Sequence, residues 1–401
     1  MRLLLATNHL GLGGSESYLL TVAEQLDRLG HEAVVYTPEP EGGVEVARER
    51  GIAVIDEAGL DDEYDAALVQ DAGVCLEIAD RSPHLPQLFV AHSTMFDLQA
   101  PPQLDGLVGV VVALNDRVAT WMRSHATDLE VVRLRQPIDT VRFAPRGALP
   151  EVPSSALLLS NTPHADRLAM LEVACVEAGL QLSRLGGLSG RAGDVRPALA
   201  DTEIVIGYGR SILEAMAFGR AAYVYDWKGG DGWVTAGSYP AIEANGIAGG
   251  ASGAIADTAQ LAEDLRRYSA SMGPVNHDLV MTHHQANVHA QELVALFERL
   301  AAPASRTRAP LQEMARLVRL EWRARLEING LAHENAHLRD LLRESEERVG
   351  EARQAAAHEA TRVHETRQDF EATASWRLTR PLRALGRMGS RIARLRQRDL
   401  G

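Results

Sequence analysis

The sequence predicts an α/β fold with two doubly wound, parallel-sheet domains and a long C-terminal helix. Three observations carry this. The N-terminus reads strand, glycine loop, helix, strand, which is the β–α–β start of a parallel sheet. The stretch Asp201–Asp231 repeats that grammar as strand, glycine turn, helix, strand and glycine loop. Beyond residue 310 the chain turns charged and glycine-poor, with apolar residues at alternating spacings of three and four. At 401 residues there is room for two such domains and an appendage.

The elements follow in order. Arg2 to Thr7 is an apolar strand, Asn8 to Gly14 a glycine-rich loop, and Ser15 is placed to cap a helix running to about Leu29, where Gly30 stops it. Ala33 to Thr37 is the next strand. The loop reads Gly11-Leu12-Gly13-Gly14-Ser15-Glu16, not the spaced G-x-G-x-x-G of a dinucleotide fold. Further strands are expected at Ala53–Ile55, Ala66–Val69, Gln87–Ala91 and Val110–Leu114. The run Asp61-Asp62-Glu63 between them reads as a solvated loop, not a metal site. His92 directly follows the strand Leu88–Ala91, and ligand sites in doubly wound sheets gather at the carboxyl ends of strands. A lone histidine there also suits a purely structural role. Residues 144–153 hold three prolines and mark the domain boundary.

The second domain opens with a strand at Ala156–Ser160. Glu203–Ile206 is a β-branched strand, turned by Gly207-Tyr208-Gly209 into a helix from Ser211 to Phe218 that stops at Gly219. A strand turning through glycines into a helix presents free N–H groups and a positive dipole end, a ready diphosphate site. Glu214 lies one turn inside, within reach of ribose hydroxyls. Arg210 can offer a bidentate fork to phosphate. Strand Ala221–Tyr225 follows, then Lys228, a second phosphate candidate, and the glycine-rich Gly229–Trp233, expected as another cleft loop. Helices near Thr258–Tyr268 and His283–Leu300 close the domain. His283, His284 and His289 fall on polar faces, and no carboxylate or cysteine completes a metal set.

Composition narrows the function classes. Hydrophobic residues make up 46% and charged residues 24%, as in ordinary soluble chains. Two cysteines, Cys75 and Cys175, give neither a disulfide framework nor a metal motif, which fits a reducing cytoplasm. Met1–Leu10 is too short an apolar run for a signal peptide, and no run nears the roughly 18 apolar residues of a membrane span. A net charge of −13 argues against nucleic acid as a partner. The end of the chain differs: from Trp376 onward eight arginines face one acid, Asp399.

A heptad seam runs through Ile328, Leu331, Asn335, Leu338, Leu342, Ser345, Val349, Ala352, Ala356 and Val363, which predicts a coiled coil over 311–372. A fraying single helix competes with it, because the seam weakens past Val349. Asn335 at a seam position suits a parallel homodimer. In 373–401, Leu378, Leu382, Leu385, Ile392 and Leu395 form one helical stripe and arginines another. That amphipathic pattern points to an anionic membrane surface; a solubilising or self-docking tail is the alternative.

The stretch Ile206-Gly207-Tyr208-Gly209 followed by Glu214-Ala215-Met216-Ala217-Phe218-Gly219 resembles the donor-nucleotide motif of GT-B glycosyltransferases of family-four type, E-G-F-G-x-x-x-x-E-A-M-A-x-G. Glu214 matches its second glutamate; Ile206 stands where the first would be. Gly13-Gly14-Ser15-Glu16 resembles the G-G-S-E loop of the same family, near donor phosphate and acceptor. Arg135–Phe143 resembles its crossover between domains, and Ser375–Arg383 resembles a short C-terminal motif of bacterial surface-polysaccharide transferases. The arginine usual after the Ala156–Ser160 strand is missing from Asn161–Arg167.

The resemblance implies two Rossmann-like domains facing a cleft: 1–145 on the acceptor side and 146–300 on the donor side, with 301–310 as linker. It implies transfer of a sugar from a nucleotide-diphosphate donor to a glycan or lipid-linked acceptor, with retention of configuration and no metal or cofactor. His92 and Arg210 take catalytic roles. Gly13, Gly14, Gly207, Tyr208, Gly209, Ser211, Glu214 and Lys228 bind the donor. Two readings stay open beside it. A sugar-nucleotide epimerase shares the fold, and a catalytically silent scaffold would explain Ile206 and the missing arginine.

Overall fold

The computed structural model describes the chain apart from residues 62, 95–98, 126–127, 161–164, 187–193, 227–228, 253, 255–256, 302–310 and 380–401. Met1–Arg316 form one compact unit and Leu317–Gly401 another.

The first sheet has seven parallel strands in the order β5 (Ala53–Ile55), β3 (Glu32–Tyr36), β1 (Arg2–Ala6), β6 (Ala66–Val69), β7 (Gln87–Ala91), β8 (Val110–Ala113) and β9 (Glu130–Arg133). A short parallel pair, β2 (His9–Leu10) with β4 (Glu39–Pro40), lies beside it. The central strands β6, β7 and β8 of the seven-stranded sheet are near-continuous apolar runs because both faces are covered. Alternation then sorts them. Leu3, Leu5, Leu68 and Val90 pack on one face with α1 (Gly14–Arg28), and Leu4, Ala67, Val69 and Phe89 on the other with α3 (Ala72–Arg81) and α4 (Asp116–His125). Each fully buried leucine here contributes roughly 1.5–3 kcal/mol. Helix α2 (Gly43–Glu49) joins β4 to β5.

The second sheet runs β11 (Gln181–Leu185), β10 (Ser155–Leu159), β12 (Ile204–Gly207), β13 (Ala221–Asp226) and β14 (Gly229–Trp233). Helices α5 (Ala165–Glu177), α6 (Arg196–Ala200), α7 (Arg210–Ala217), α8 (Tyr239–Ala244), α9 (Thr258–Leu265) and α10 (Met272–His283) belong to this lobe. Helix α11 (Ala286–Arg299) does not. Its Ala290, Leu293, Leu296 and Phe297 enter the core of the first lobe, so the chain crosses back there.

Three local expectations are corrected. Ser15 is not a cap: α1 begins at Gly14 with Gly13 as N-cap, and the Ser15 hydroxyl donates to Glu16 Oε2 at 2.9 Å. Gly229–Trp233 is not a cleft loop but an antiparallel edge strand on β13, with a bulge at Val224/Tyr225. A Cβ at Gly230 would sit 3.0 Å from the Tyr225 ring and 3.1 Å from Val224 O, so glycine permits that pairing. His284 and His289 are buried, not on polar faces.

Most of the second unit is α12 (Leu311–Ala372), one 62-residue helix whose first turn and a half belongs to the first unit. Ile328, Leu331, Leu338, Leu342, Val349 and Val363 are exposed along it. The helix breaks at Thr373, ahead of Pro381, and α13 (Ala374–Leu378) sets Trp376 edge-on to Phe370 with ring centroids 4.8 Å apart. Pro381 and the rest of the basic tail lie outside the described residues. Among the described residues no helix is long and apolar enough to cross a membrane.

Candidate functional site

Strand order locates the site. In the first sheet the chain moves outward from β1 through β3 to β5, then returns to β6 and proceeds the other way. In the second it moves from β10 to β11, then returns to β12. Ligands of open α/β sheets bind outside the carboxyl ends of strands at such reversals. Asp71, which follows β6, closes the first reversal: its Oδ2 accepts from Asn8 N at 2.9 Å and from Thr7 Oγ1 at 3.1 Å. No sequence motif marks Asp71.

At the second reversal β12 ends in Gly207, where a Cβ would lie 2.7 Å from Leu159 O of β10. Gly209, the N-cap of α7, has φ +62°, and its N–H donates to Ile247 O at 2.8 Å. Ser211 Oγ donates to Tyr208 O at 2.8 Å. Neither α1 nor α7 has a side-chain cap, so both leave first-turn N–H groups for a ligand.

A cavity of about 260 Å³ lies between them. Gly13 and Gly14 line it from the first lobe, and Tyr208, Gly209, Arg210, Ser211 and Glu214 from the second. Gly207 sits behind this wall. Lys228 lies outside the described residues, as do Asn161–His164 after β10.

Arg210 is placed differently from a phosphate-facing fork. Only 8% exposed, it donates from Nε to Glu214 Oε1 at 2.8 Å, from Nη1 to Pro137 O at 2.9 Å and from Nη2 to Thr21 Oγ1 at 3.0 Å. Its guanidinium thus joins α7 to the crossover and to α1. Burial raises the Glu214 carboxyl above its ordinary range, and Arg210 opposes that rise. Among the described residues, Glu214 Oε2 accepts no hydrogen bond.

His92 stands at the end of β7 but does not line the cavity. Its Nε2 pairs with Gln70 Oε1, and its ring meets Tyr18 edge-on at 4.9 Å. Burial, reinforced by the Arg210 charge, pushes its pKa down to about 3, so the ring is neutral near pH 7. Tyr18 in turn bonds His289 Nε2 at 2.9 Å. His284 joins Tyr239 OH at 2.8 Å and Gln136 O at 2.7 Å. These two histidines, also pushed down to about 3 by burial, brace the crossover region. Asp139 shapes it, accepting from Val141 N and Arg142 N, both at 3.0 Å. Among the described residues no group of three His, Cys, Asp or Glu could hold a metal ion.

No family model matches this sequence, and no curated protein matches it. Solved structures do. HepE of Anabaena, in complex with UDP and glucose, aligns with a TM-score of 0.52 at 12% identity over 75% of this chain and 100% of its own. The pneumococcal O-GlcNAc transferase GtfA, in complex with UDP and GlcNAc, gives 0.53 at 9% over 74% and 98%. TarM of S. aureus, in a complex that includes UDP, gives 0.51 at 10% over 74% and 100%. The fold is GT-B. In this GT-B chain the turns after β1 and β12 face one cavity, and Arg210 joins the lobes beside it, as Arg117 and Arg133 do elsewhere through Asn245 O and Glu243.

Proposed function

We propose that the chain is a glycosyltransferase that moves a sugar from a nucleotide-diphosphate donor to a hydroxyl on a glycan or lipid-linked acceptor. Two uncapped helix N-termini meeting at the cavity beside Glu214 carry this reading. The N–H groups of α1 and α7 hold the diphosphate, and Glu214 Oε2 takes the ribose hydroxyls. Neutral His92, held by Gln70 and Tyr18 behind the cavity, and Arg210 take catalytic roles in this reading. Retention of configuration and a place in surface-polysaccharide or glycoconjugate synthesis follow from the family resemblance. No metal or cofactor is invoked. The experiment is incubation with a panel of radiolabelled sugar nucleotides, beside a thermal-shift screen of nucleoside diphosphates. Transfer or hydrolysis of one donor supports the reading; a protein that binds none sinks it.

A silent scaffold is the second reading, and one observation favours it. Among the described residues lining the smaller cavity Arg210 is the one cation, and protein groups already occupy its guanidinium. Binding of a donor without turnover would select it. In either case we propose that α12 pairs as a parallel homodimer. The basic tail would hold the protein at an anionic, cytoplasm-facing membrane surface.

A further inference from the structure

A larger cavity of about 660 Å³ opens beside the first and shares Ser17, Arg210 and Glu214 with it. Four arginines line it. Two are matched by their own carboxylates. Arg196 holds Asp194 through two bonds of 2.8 Å, and Arg210 holds Glu214 at 2.8 Å.

The other two differ. Arg50, the C-cap of α2, and Arg142, on the crossover, share a single acid, Glu24 of α1. Arg142 approaches it to 2.6 Å and Arg50 to 3.6 Å, with Arg50 and Glu24 side chains only 12% and 10% exposed. The Nε atoms of both arginines are buried without a hydrogen-bond partner. Burial, and then the charge of Arg142, lower the Arg50 pKa. One carboxylate in ion-pair contact with two guanidinium groups leaves the pair short of negative charge at close range, with Glu214 and Asp194 acting on it only from further off. Glu45 and Glu49 also line this cavity, but both are exposed on its rim, where solvent weakens their pull.

We propose that this cavity is the acceptor site and takes a phosphorylated acceptor, whose phosphate sits between Arg50 and Arg142. The inference rests on the glycosyltransfer reading above. Phosphate suits the pair because its oxygens can bridge two planar forks while Glu24 stays in place. The shared wall at Ser17 and Glu214 sets an acceptor hydroxyl beside the donor sugar, which is the proximity that group transfer needs.

The test is calorimetric titration of inorganic phosphate into the full-length protein, with and without UDP, at low ionic strength. Arg50→Gln and Arg142→Gln should each weaken phosphate binding about tenfold, the value of one charge-assisted contact. Glu24→Gln should strengthen it about tenfold, because the competing carboxylate is gone. A merely structural cluster cannot give that reversal of sign. If Arg142→Gln fails to fold, Arg50→Gln and Glu24→Gln still decide. Phosphate binding that ignores all three substitutions overturns the proposal, as does Glu24→Gln weakening it, or acetate binding as tightly as phosphate. Failure of UDP and every other nucleotide to bind, with arginine-dependent phosphate binding intact, overturns the donor reading instead.

Discussion

Glu214→Gln separates the donor role of this residue from its structural one. The amide keeps the volume and an oxygen for Arg210 Nε, but it removes the negative charge. Arg210 and Glu214 side chains are 7% and 13% exposed, so solvent does little to replace the lost attraction. A hydrogen bond to a charged acceptor contributes about 1.5–3 kcal/mol and a neutral one about 0.5–1.5, so the fold should lose roughly 1–2 kcal/mol. That is a downward shift of a few degrees in Tm. Donor binding should suffer more. Two ribose hydroxyls on Oε2 form charge-assisted contacts, and losing them weakens nucleotide binding by about one to two orders of magnitude. The assay is calorimetric titration of the preferred nucleoside diphosphate, with denaturant unfolding run in parallel. Glu298→Gln, on the exposed face of α11, is the control and should change neither quantity. A folded Glu214→Gln protein that binds within twofold of the parent refutes the ribose role, and the placement of the donor on this turn with it.

Glu203→Gln, just ahead of β12, should cost roughly 1–3 kcal/mol, because Glu203 Oε2 accepts from Ser155 N at 2.6 Å, Ser155 Oγ at 2.7 Å and Ser154 N at 3.1 Å. Burial raises the Glu203 pKa but these bonds outweigh it and lower it overall, so the difference between parent and variant should be full above the ordinary carboxylate range and vanish as pH falls below it; unfolding curves from pH 7 to 3 would show a constant gap if this is wrong. The full chain should scatter light as a dimer at tens of micromolar and a chain ending at residue 300 as a monomer; equal masses would remove the coiled-coil proposal. Full-length protein should co-sediment with anionic vesicles at low salt more than a 1–374 chain does, and equal partition would rule the tail out.

Strand grammar was the most legible part of the sequence. Ala66–Val69 and Gln87–Ala91 appear with the bounds expected, because strands buried on both faces read as unbroken apolar runs between polar turns; Ala53–Ile55 does so too, a half-exposed edge strand that is nonetheless wholly apolar. β9 and β11 were missed. Glu130–Arg133 and Gln181–Leu185 are edge strands with charged or polar residues and little burial, so no apolar run marks them. β14 was hidden by its glycines, which signal a loop unless the neighbouring bulge is known. The donor turn was legible as a motif, since glycines at Gly207 and Gly209 answer local backbone demands. The direction of Arg210 was not. Its partners Thr21 and Pro137 are distant in sequence, and nothing local says that a side chain beside a phosphate-type turn faces inward. Glu24, Arg50 and Arg142 form a cluster for the same reason unseen.

The inward Arg210 changes how charge must be handled at the donor turn. On the proposed reading, a donor diphosphate would bring negative charge to a wall whose only cation among the described residues already faces a carboxylate. Adding that charge beside Glu214 favours protonating the carboxyl, whose pKa burial has already raised. It also favours loosening Arg210 toward the phosphate. Either response breaks the same contact, because Arg210 cannot turn without surrendering Glu214 Oε1, Pro137 O or Thr21 Oγ1. Two of those three lie outside the donor lobe, on the crossover and on α1. On the proposed reading, arrival of a donor would reach the first lobe through Arg210. Arg210 stands as a strut between lobes, and on the proposed reading its reach to phosphate would be a second state that the ligand draws out of the first.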